Sequence, residues 1–334
     1  MARVGRDAIA AVIYIAFGAY LFEPYFANFS KIDYLIVFNC CAGAFGCYVL
    51  SKRWVAGFAG RFFAGAIYGF GPFMFFLAGY HPTAGSIAAI VPWLFLPAAF
   101  GPKGSLQWTR VLLSLMPFAV IAGMFRLAGA FGWYPLPTQI RIGASDLISI
   151  LAPAALINQV NVPMGFYHVA IGALVIGIAM LLASRRYSVM AVFAIGVALL
   201  LFDLFSGAAP IIWLTVPLLC CSVLIGEGIE GIIHSGYSDR KWILASAAVL
   251  LACAVVSLIF GTKTTHIFAG LGAGYTRRFI QAAVMYVAGT IAIGVVFFLA
   301  KGRSRLAWVR AAIMCAAVAV DIFLGATAVV DSVM

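Results

Sequence analysis

The stretch LLCCSVLIGEGIEGIIHSGYSDRKW, from Leu218 to Trp242, decides the fold class because it passes from apolar to polar residues within one helix length. It begins inside the apolar run 209–230 and ends in a basic loop. A helix of about 20 apolar residues spans a bilayer. The stretch therefore has the features expected where a membrane-spanning helix leaves the hydrocarbon.

Similar apolar runs recur along the whole chain and indicate an all-α, polytopic helical membrane protein. With 65% hydrophobic and 9% charged residues, a soluble chain of 334 residues could not cover its core. A transmembrane β-barrel is excluded because its strands would alternate apolar and polar residues. No soluble domain interrupts the runs, so 1–334 is predicted to be a single transmembrane domain. Eleven spans are predicted: 8–22, 33–51, 62–80, 83–100, 109–132, 165–183, 188–206, 209–230, 242–260, 279–300 and 306–330.

The segment 144–160 is apolar but short, with Pro153 at its centre, and is predicted to be re-entrant or interfacial. Basic residues favour this interpretation. If the segment does not span and the N-terminus is cytoplasmic, 15 Lys and Arg residues lie inside and 6 outside. The distribution predicts a bacterial inner-membrane protein with a cytoplasmic N-terminus and the lipid bilayer as partner. Because the basic residues are scattered between apolar runs, it excludes a nucleic-acid partner despite the net charge of +11.

A weak internal similarity raises the question of a repeat. Ser86–Phe100 resembles Ala209–Ile225 around Pro92 and Pro217. One interpretation is a parallel repeat of five-helix halves, 1–132 and 165–300. The alternative is chance similarity between apolar sequences.

Glu227, Glu230 and His234 follow one another at i, i+3 and i+7, and so share one face of the predicted helix. Two neighbouring carboxylates repel each other when both are ionised, which favours a shared proton or a bound cation. The functional interpretation is a proton or cation site near the cytoplasmic face. The alternative is a hydrated helix end whose carboxylates pair with Arg240 or Lys241.

The same segment contains GEGIEG, Gly226–Gly231, which matches the GxGxxG pattern of dinucleotide-binding loops. That fingerprint requires a preceding strand, whereas an apolar run of helical length precedes it here. We therefore expect these glycines to allow another helix to approach closely.

Asp321 lies within the last predicted span and is the strongest single candidate for a functional residue. An ionisable group at mid-membrane costs about 3 kcal/mol and normally faces a partner, a cavity or a pathway. Arg61 and Arg126 are its candidate partners, and a purely structural ion pair or a neutral, hydrogen-bonded acid is the alternative. Asp203 lies nearer a helix end, where capping or pairing is expected.

The remaining signals are weaker. His168 begins a predicted span and could in principle ligate haem, but a facing histidine at the same depth is not evident, so no cofactor is predicted, with quinone or lipid left open. Arg277 and Arg278 follow a glycine-rich segment and could bind an anion or a lipid phosphate. The seven cysteines form no metal-binding pattern, and no HExxH, GxSxG or Walker motif is present.

Three functions fit these features. The first is a transporter or channel in which Asp321 and the Glu227, Glu230 and His234 face handle protons or cations. The second is a membrane-embedded subunit of a respiratory or photosynthetic-type complex that binds lipid, quinone or other subunits. The third is an intramembrane lipid-modifying enzyme, which the lack of a recognisable nucleophile disfavours. Homo- or hetero-oligomeric membrane partners fit the first two.

Overall fold

The computed structural model describes residues 2–30, 33–99, 108–130, 144–153, 162–184, 187–202, 210–235, 239–263, 273–300 and 307–333. Over these ranges the protein is helical, without strands. Its α-helices are α1 (Ala2–Phe22), α2 (Tyr34–Ser51), α3 (Phe58–Gly69), α4 (Pro72–Tyr80), α5 (Pro82–Leu94), α6 (Leu96–Ala99), α7 (Trp108–Ala130), α8 (Ile148–Leu151), α9 (His168–Ala183), α10 (Tyr187–Phe202), α11 (Thr215–His234), α12 (Arg240–Lys263), α13 (Ala273–Ala300) and α14 (Ala307–Val333). Short 3-10 helices cover Glu23–Asn28, Ala144–Leu147 and Pro210–Leu214.

Helices occupy the positions of all eleven predicted runs, but they differ in length. Among the described residues, seven are long and apolar enough to cross a membrane: Gly5–Asn28, Tyr34–Ser51, Phe58–Tyr80, Pro210–His234, Arg240–Lys263, Thr276–Leu299 and Ala307–Ser332. Four further apolar stretches of helix are shorter: Pro82–Leu94, Leu112–Met124, His168–Ala183 and Val189–Phe202. The all-helical fold is thus confirmed, and its seven long apolar helices are compatible with a multi-pass membrane protein.

The runs 62–80 and 165–183 are not helical over their whole length in the structure. The run 62–80 breaks between α3 and α4, where Gly71 is extended and Pro72 starts the new helix. Proline cannot donate the backbone hydrogen bond that a continuous helix needs, and it disfavours helical backbone in the residue before it. The run 165–183 becomes helical only at His168, because residues 162–167 have no regular structure.

Helices α3, α4 and α11 form the centre of the bundle. The apolar windows of Phe58–Tyr80 and Pro210–His234 are each 89% buried, whereas those of Gly5–Asn28 and Arg240–Lys263 are each 28% buried. The peripheral helices instead expose large apolar side chains, including Val12 on α1 and Val255 on α12. An outward-facing apolar surface of this kind is what a lipid environment requires.

The glycines of GEGIEG allow close helix contacts, as expected from the sequence. A Cβ on Gly226 would lie 2.5 Å from the carbonyl oxygen of Gly60 in α3. A Cβ on Gly228 would lie 1.8 Å from the carbonyl oxygen of Ala173 in α9. The two glycines therefore let α11 pack backbone to backbone against a different helix on each side.

Polar contacts tie together helix ends that the charge distribution assigns to the same side. At one end, Lys52 Nζ at the end of α2 lies 2.7 Å from Asp7 Oδ2 in the first turns of α1. At the other end, the hydroxyl of Tyr25 donates to Asp331 Oδ1 at 2.8 Å. Helices α1 and α14 consequently run in the same direction through the bundle.

The described parts of the 144–160 segment lie beside the chain that follows it. Asp146 Oδ1 accepts a hydrogen bond from the Val162 amide at 3.0 Å, and the Ser149 hydroxyl accepts one from the Met164 amide at 2.8 Å. Residues 146 and 162 therefore lie at the same level in the bundle. Residues 154–161 lie outside the described part of the chain.

Replacing Gly228 with alanine is expected to lower the thermal stability of the protein in detergent. The added methyl would overlap the Ala173 carbonyl, so α9 and α11 would have to separate, and overpacking of this kind costs about 1–3 kcal/mol. Gly294→Ala on α13 is the matched control, since nothing lies within 4 Å of its added Cβ. Thermal unfolding followed by size-exclusion chromatography measures both. Equal midpoints would contradict the close packing of α9 and α11.

Candidate functional site

The centre of the candidate site is a buried contact between the start of α9 and the middle of α14. Nδ1 of His168 lies 2.8 Å from Oδ1 of Asp321, and the amide of Val169 donates to Oδ2 of Asp321 at 2.6 Å. The carboxylate of Asp321 therefore uses one oxygen for the imidazole and the other for the backbone of α9. Asp321 is 1% exposed and His168 is 7% exposed, so water contributes little to either group.

The backbone of α9 explains why Asp321 faces this point. Tyr167 precedes the helix with an extended backbone and no side-chain cap, so the first amides of α9 need partners from elsewhere. Asp321 supplies one of them from another helix. The positive end of a helix dipole also attracts a carboxylate, which adds to the hydrogen bonds.

Neighbouring contacts hold the same region in place. The His168 ring meets the Tyr286 ring edge-on, with centroids 4.8 Å apart. The Tyr167 hydroxyl donates to the carbonyl oxygen of Phe70 at 2.6 Å, which joins the start of α9 to the break between α3 and α4. Gly325 on α14 makes room for Tyr167, because a Cβ there would lie 2.2 Å from its ring.

A small space lies next to this junction. Its volume is about 10 Å³, which is about what one water molecule requires. It is lined by residues from the interruption between α3 and α4, from the extended segment before α9 and from α11: Ile67, Tyr68, Gly71, Phe73, Met74, Gly165, Phe166, Leu218 and Ser222.

An imidazole in contact with a carboxylate can in general carry either of two charge states, which differ by one proton. An ionised Asp321 with a neutral His168 carries a charge of −1, with Nδ1 of the imidazole as donor. Adding a proton to the imidazole, or a cation nearby, makes the site neutral. Because an isolated charge is costly in a low-dielectric interior, the arrangement suits reversible binding of one positive charge.

The sequence-based choice of partners for Asp321 was wrong. Arg61 donates from Nε to the Val55 carbonyl oxygen at 2.7 Å and also hydrogen-bonds the Ala56 carbonyl oxygen. Arg126 is exposed on α7. His168, considered from the sequence only as a haem ligand, takes their place. Its 153-residue separation from Asp321 left no local signal in the sequence.

The three polar residues of α11 lie at its C-terminal end, with exposure that increases along the helix. Glu227 is 7% exposed, while the side chains of Glu230 and His234 are 18% and 66% exposed. Nδ1 of His234 lies 3.3 Å from Oε1 of Glu230, so these two interact directly.

Glu230 has a structural partner that was not anticipated. Its carboxylate lies against Gly57, where an added Cβ would be only 2.0 Å from Oε2. Gly57 is the N-cap residue of α3, so the carboxylate sits at the positive end of that helix. The predicted pairing of the α11 carboxylates with Arg240 or Lys241 stays a prediction. A described contact of Glu230 is with a helix terminus.

Two further predicted residues, Arg277 and Arg278, lie on α13. Arg277 is exposed and Arg278 half-buried near the start of α13, and their predicted anion or lipid site stays a prediction. Asp203 lies outside the described residues. Within the described part of the chain, no group of three or more His, Cys, Asp and Glu side chains could hold a metal ion.

Comparisons with protein-family models, with curated proteins and with solved structures found no match to this chain. The geometry of the site is therefore the basis for the function proposed below.

Asp321→Asn is expected to reduce folded yield and the thermal midpoint in detergent far more than Asp331→Asn. The buried carboxylate accepts two hydrogen bonds, and a bond to a charged group contributes about 1.5–3 kcal/mol. Asp331 is exposed and accepts a hydrogen bond from Tyr25, which makes it the matched control.

A double variant with His168→Gln distinguishes the stability that comes from the His168–Asp321 contact from that of the hydrogen bond between Asp321 and the backbone of α9. If the two side chains interact, His168→Gln combined with Asp321→Asn costs less than the sum of the single changes. Strictly additive losses, or equal tolerance of Asp321→Asn and Asp331→Asn, would contradict the pairing.

Proposed function

We propose that this protein is a membrane transporter or channel in which the His168–Asp321 pair binds a proton or a monovalent cation during transport. The observation that carries the proposal is the burial of this ionisable pair at the point where α9 begins. Ionisable groups within membrane-spanning helices commonly mark ion or substrate pathways.

The depth of Asp321 supports this function. It lies 11 residues after Arg310 and 10 residues before Asp331 on α14. At about 1.5 Å per residue, it is roughly 15 Å from each of these charged positions, which is half the thickness of a hydrocarbon core. A group needed only at a hydrated helix end would not have to be placed there.

The interrupted helices give a second line of support. Transporters commonly build their midplane sites from discontinuous helices, whose exposed ends interact with ions and substrates. Here the break between α3 and α4 and the late start of α9 meet through the Tyr167–Phe70 hydrogen bond. The small space lined by Gly71 and Gly165 lies between them.

The proposed topology has eleven spans, with the N-terminus in the cytoplasm of a bacterial cell. Seven helices meet the length and hydropathy required, and the four shorter ones complete the count. Non-spanning behaviour of 144–160 is supported by the hydrogen bond between Asp146 and Val162, since both ends of the segment lie at one level. With this topology, Lys52 and the Ser235 end of α11 face the cytoplasm.

The experiment is reconstitution of the full chain into proteoliposomes with a pH-sensitive dye inside. An imposed pH gradient is presented with pools of organic anions, organic cations, amino acids and sugars. We expect at least one pool to change the rate at which the gradient decays, and we expect His168→Gln to abolish that effect. Asp331→Asn, which changes an exposed carboxylate, should leave it intact.

Two results would contradict the proposal. One is a solute-dependent flux that is identical in wild type and His168→Gln. The other is a folded, monodisperse protein that moves no solute or ion. A chain that is stable only when purified together with other membrane proteins would instead favour the subunit of a larger complex.

A further inference from the structure

Glu227 is a second buried carboxylate, distinct from the His168–Asp321 contact. It is 7% exposed and lies on α11, which packs against α3, α9 and α14. Helices α9 and α14 carry the two members of the pair. Glu227 therefore belongs to a central helix that packs against both of them.

Its depth places it between the pair and the Ser235 end of the bundle. On α14, Arg310 donates to the Ser235 carbonyl oxygen, and Asp321 lies 11 residues further on. On α11, Glu227 lies 8 residues before Ser235. At about 1.5 Å per residue, Glu227 is roughly 5 Å nearer that end than Asp321.

The packing of α11 against α9 gives a similar difference in depth. Gly228 packs against Ala173, which lies 5 residues after His168. The same rise per residue places the level of Gly228 about 7 Å from that of His168.

Exposure then increases by stages from the pair to the helix end. Glu227, Glu230 and His234 lie on one face of α11, at intervals of three and four residues. Their exposed fractions rise from 7% through 18% to 66%. His234 contacts Glu230, so the two outermost side chains of this face already interact directly.

Ionisable side chains also lie on the elements around α11. Arg61 on α3 hydrogen-bonds the carbonyl oxygens of Val55 and Ala56, and Arg310 on α14 hydrogen-bonds that of Ser235. Helix α9 carries no ionisable side chain except His168. The thiol of Cys315 on α14 lies within electrostatic reach of Glu230.

Resting on the proposed function, we propose that Glu227 is the group through which the His168–Asp321 pair exchanges its proton with the Ser235 end of the bundle. The N–H bond of the imidazolium breaks and an O–H bond forms on Glu227, by way of a bridging water. The proton then passes to Glu230, to His234 and to bulk water. Each step breaks one bond to hydrogen and forms another, so no co-reactant is needed.

The test measures how fast the pair responds to a pH step in the reconstituted full chain. Infrared difference bands of the pair are assigned by their loss in His168→Gln and Asp321→Asn. Glu227→Gln keeps the size and hydrogen-bonding capacity of the side chain but cannot carry the proton. We expect it to slow the response about tenfold or more. Glu227→Asp should slow it less, and Glu23→Gln, at an exposed position, should leave it unchanged.

The outcomes separate this inference from the proposed function. Bands that titrate at the wild-type rate in Glu227→Gln overturn the role of Glu227 and leave the proposed function standing. A pair that does not titrate at all overturns both. If Glu227→Gln fails to fold, Glu227→Asp decides, because shortening the side chain moves the carboxyl by about 1.5 Å. An unchanged rate in that variant overturns the inference.

Discussion

The hydrogen bonds between Asp321 and the first turn of α9 are the contact on which the candidate site depends. One carboxylate holds an imidazole and a backbone amide at once, and thereby joins α14 to the start of α9. Without it, α9 would begin inside the bundle with an unpaired amide, and a buried histidine would have no partner. Such groups are costly to leave unsatisfied where water is scarce.

A second carboxylate repeats this arrangement at the end of the bundle. Glu230 of α11 lies against Gly57 at the start of α3, just as Asp321 of α14 lies at the start of α9. A chain with only 10 acidic residues places two of them at the N-termini of other helices. Helix termini attract carboxylates and need acceptors, so these acids both stabilise the fold and position titratable groups inside it.

The sequence predicts the elements of this fold better than it predicts their partners. Apolar runs located the helices, and the glycines of GEGIEG were correctly interpreted as packing positions. The break before α4 had a readable signal in Gly71–Pro72, which the continuous apolar run of 62–80 outweighed. Asp321 stood out because it is a charge within an apolar run. Its partner His168 did not, because the contact depends on where α9 begins.

The central claim is that the His168–Asp321 pair reversibly binds one proton inside the bundle. Solid-state NMR of protein labelled with ¹⁵N-histidine in lipid bilayers tests it directly, since the chain has only 4 histidines and His168→Gln assigns the signal. If the pair binds a proton reversibly, the His168 ring nitrogens change protonation state as the pH is varied, and Asp321→Asn alters that change. A His168 signal that stays in one protonation state at every pH at which the protein remains folded would contradict the claim.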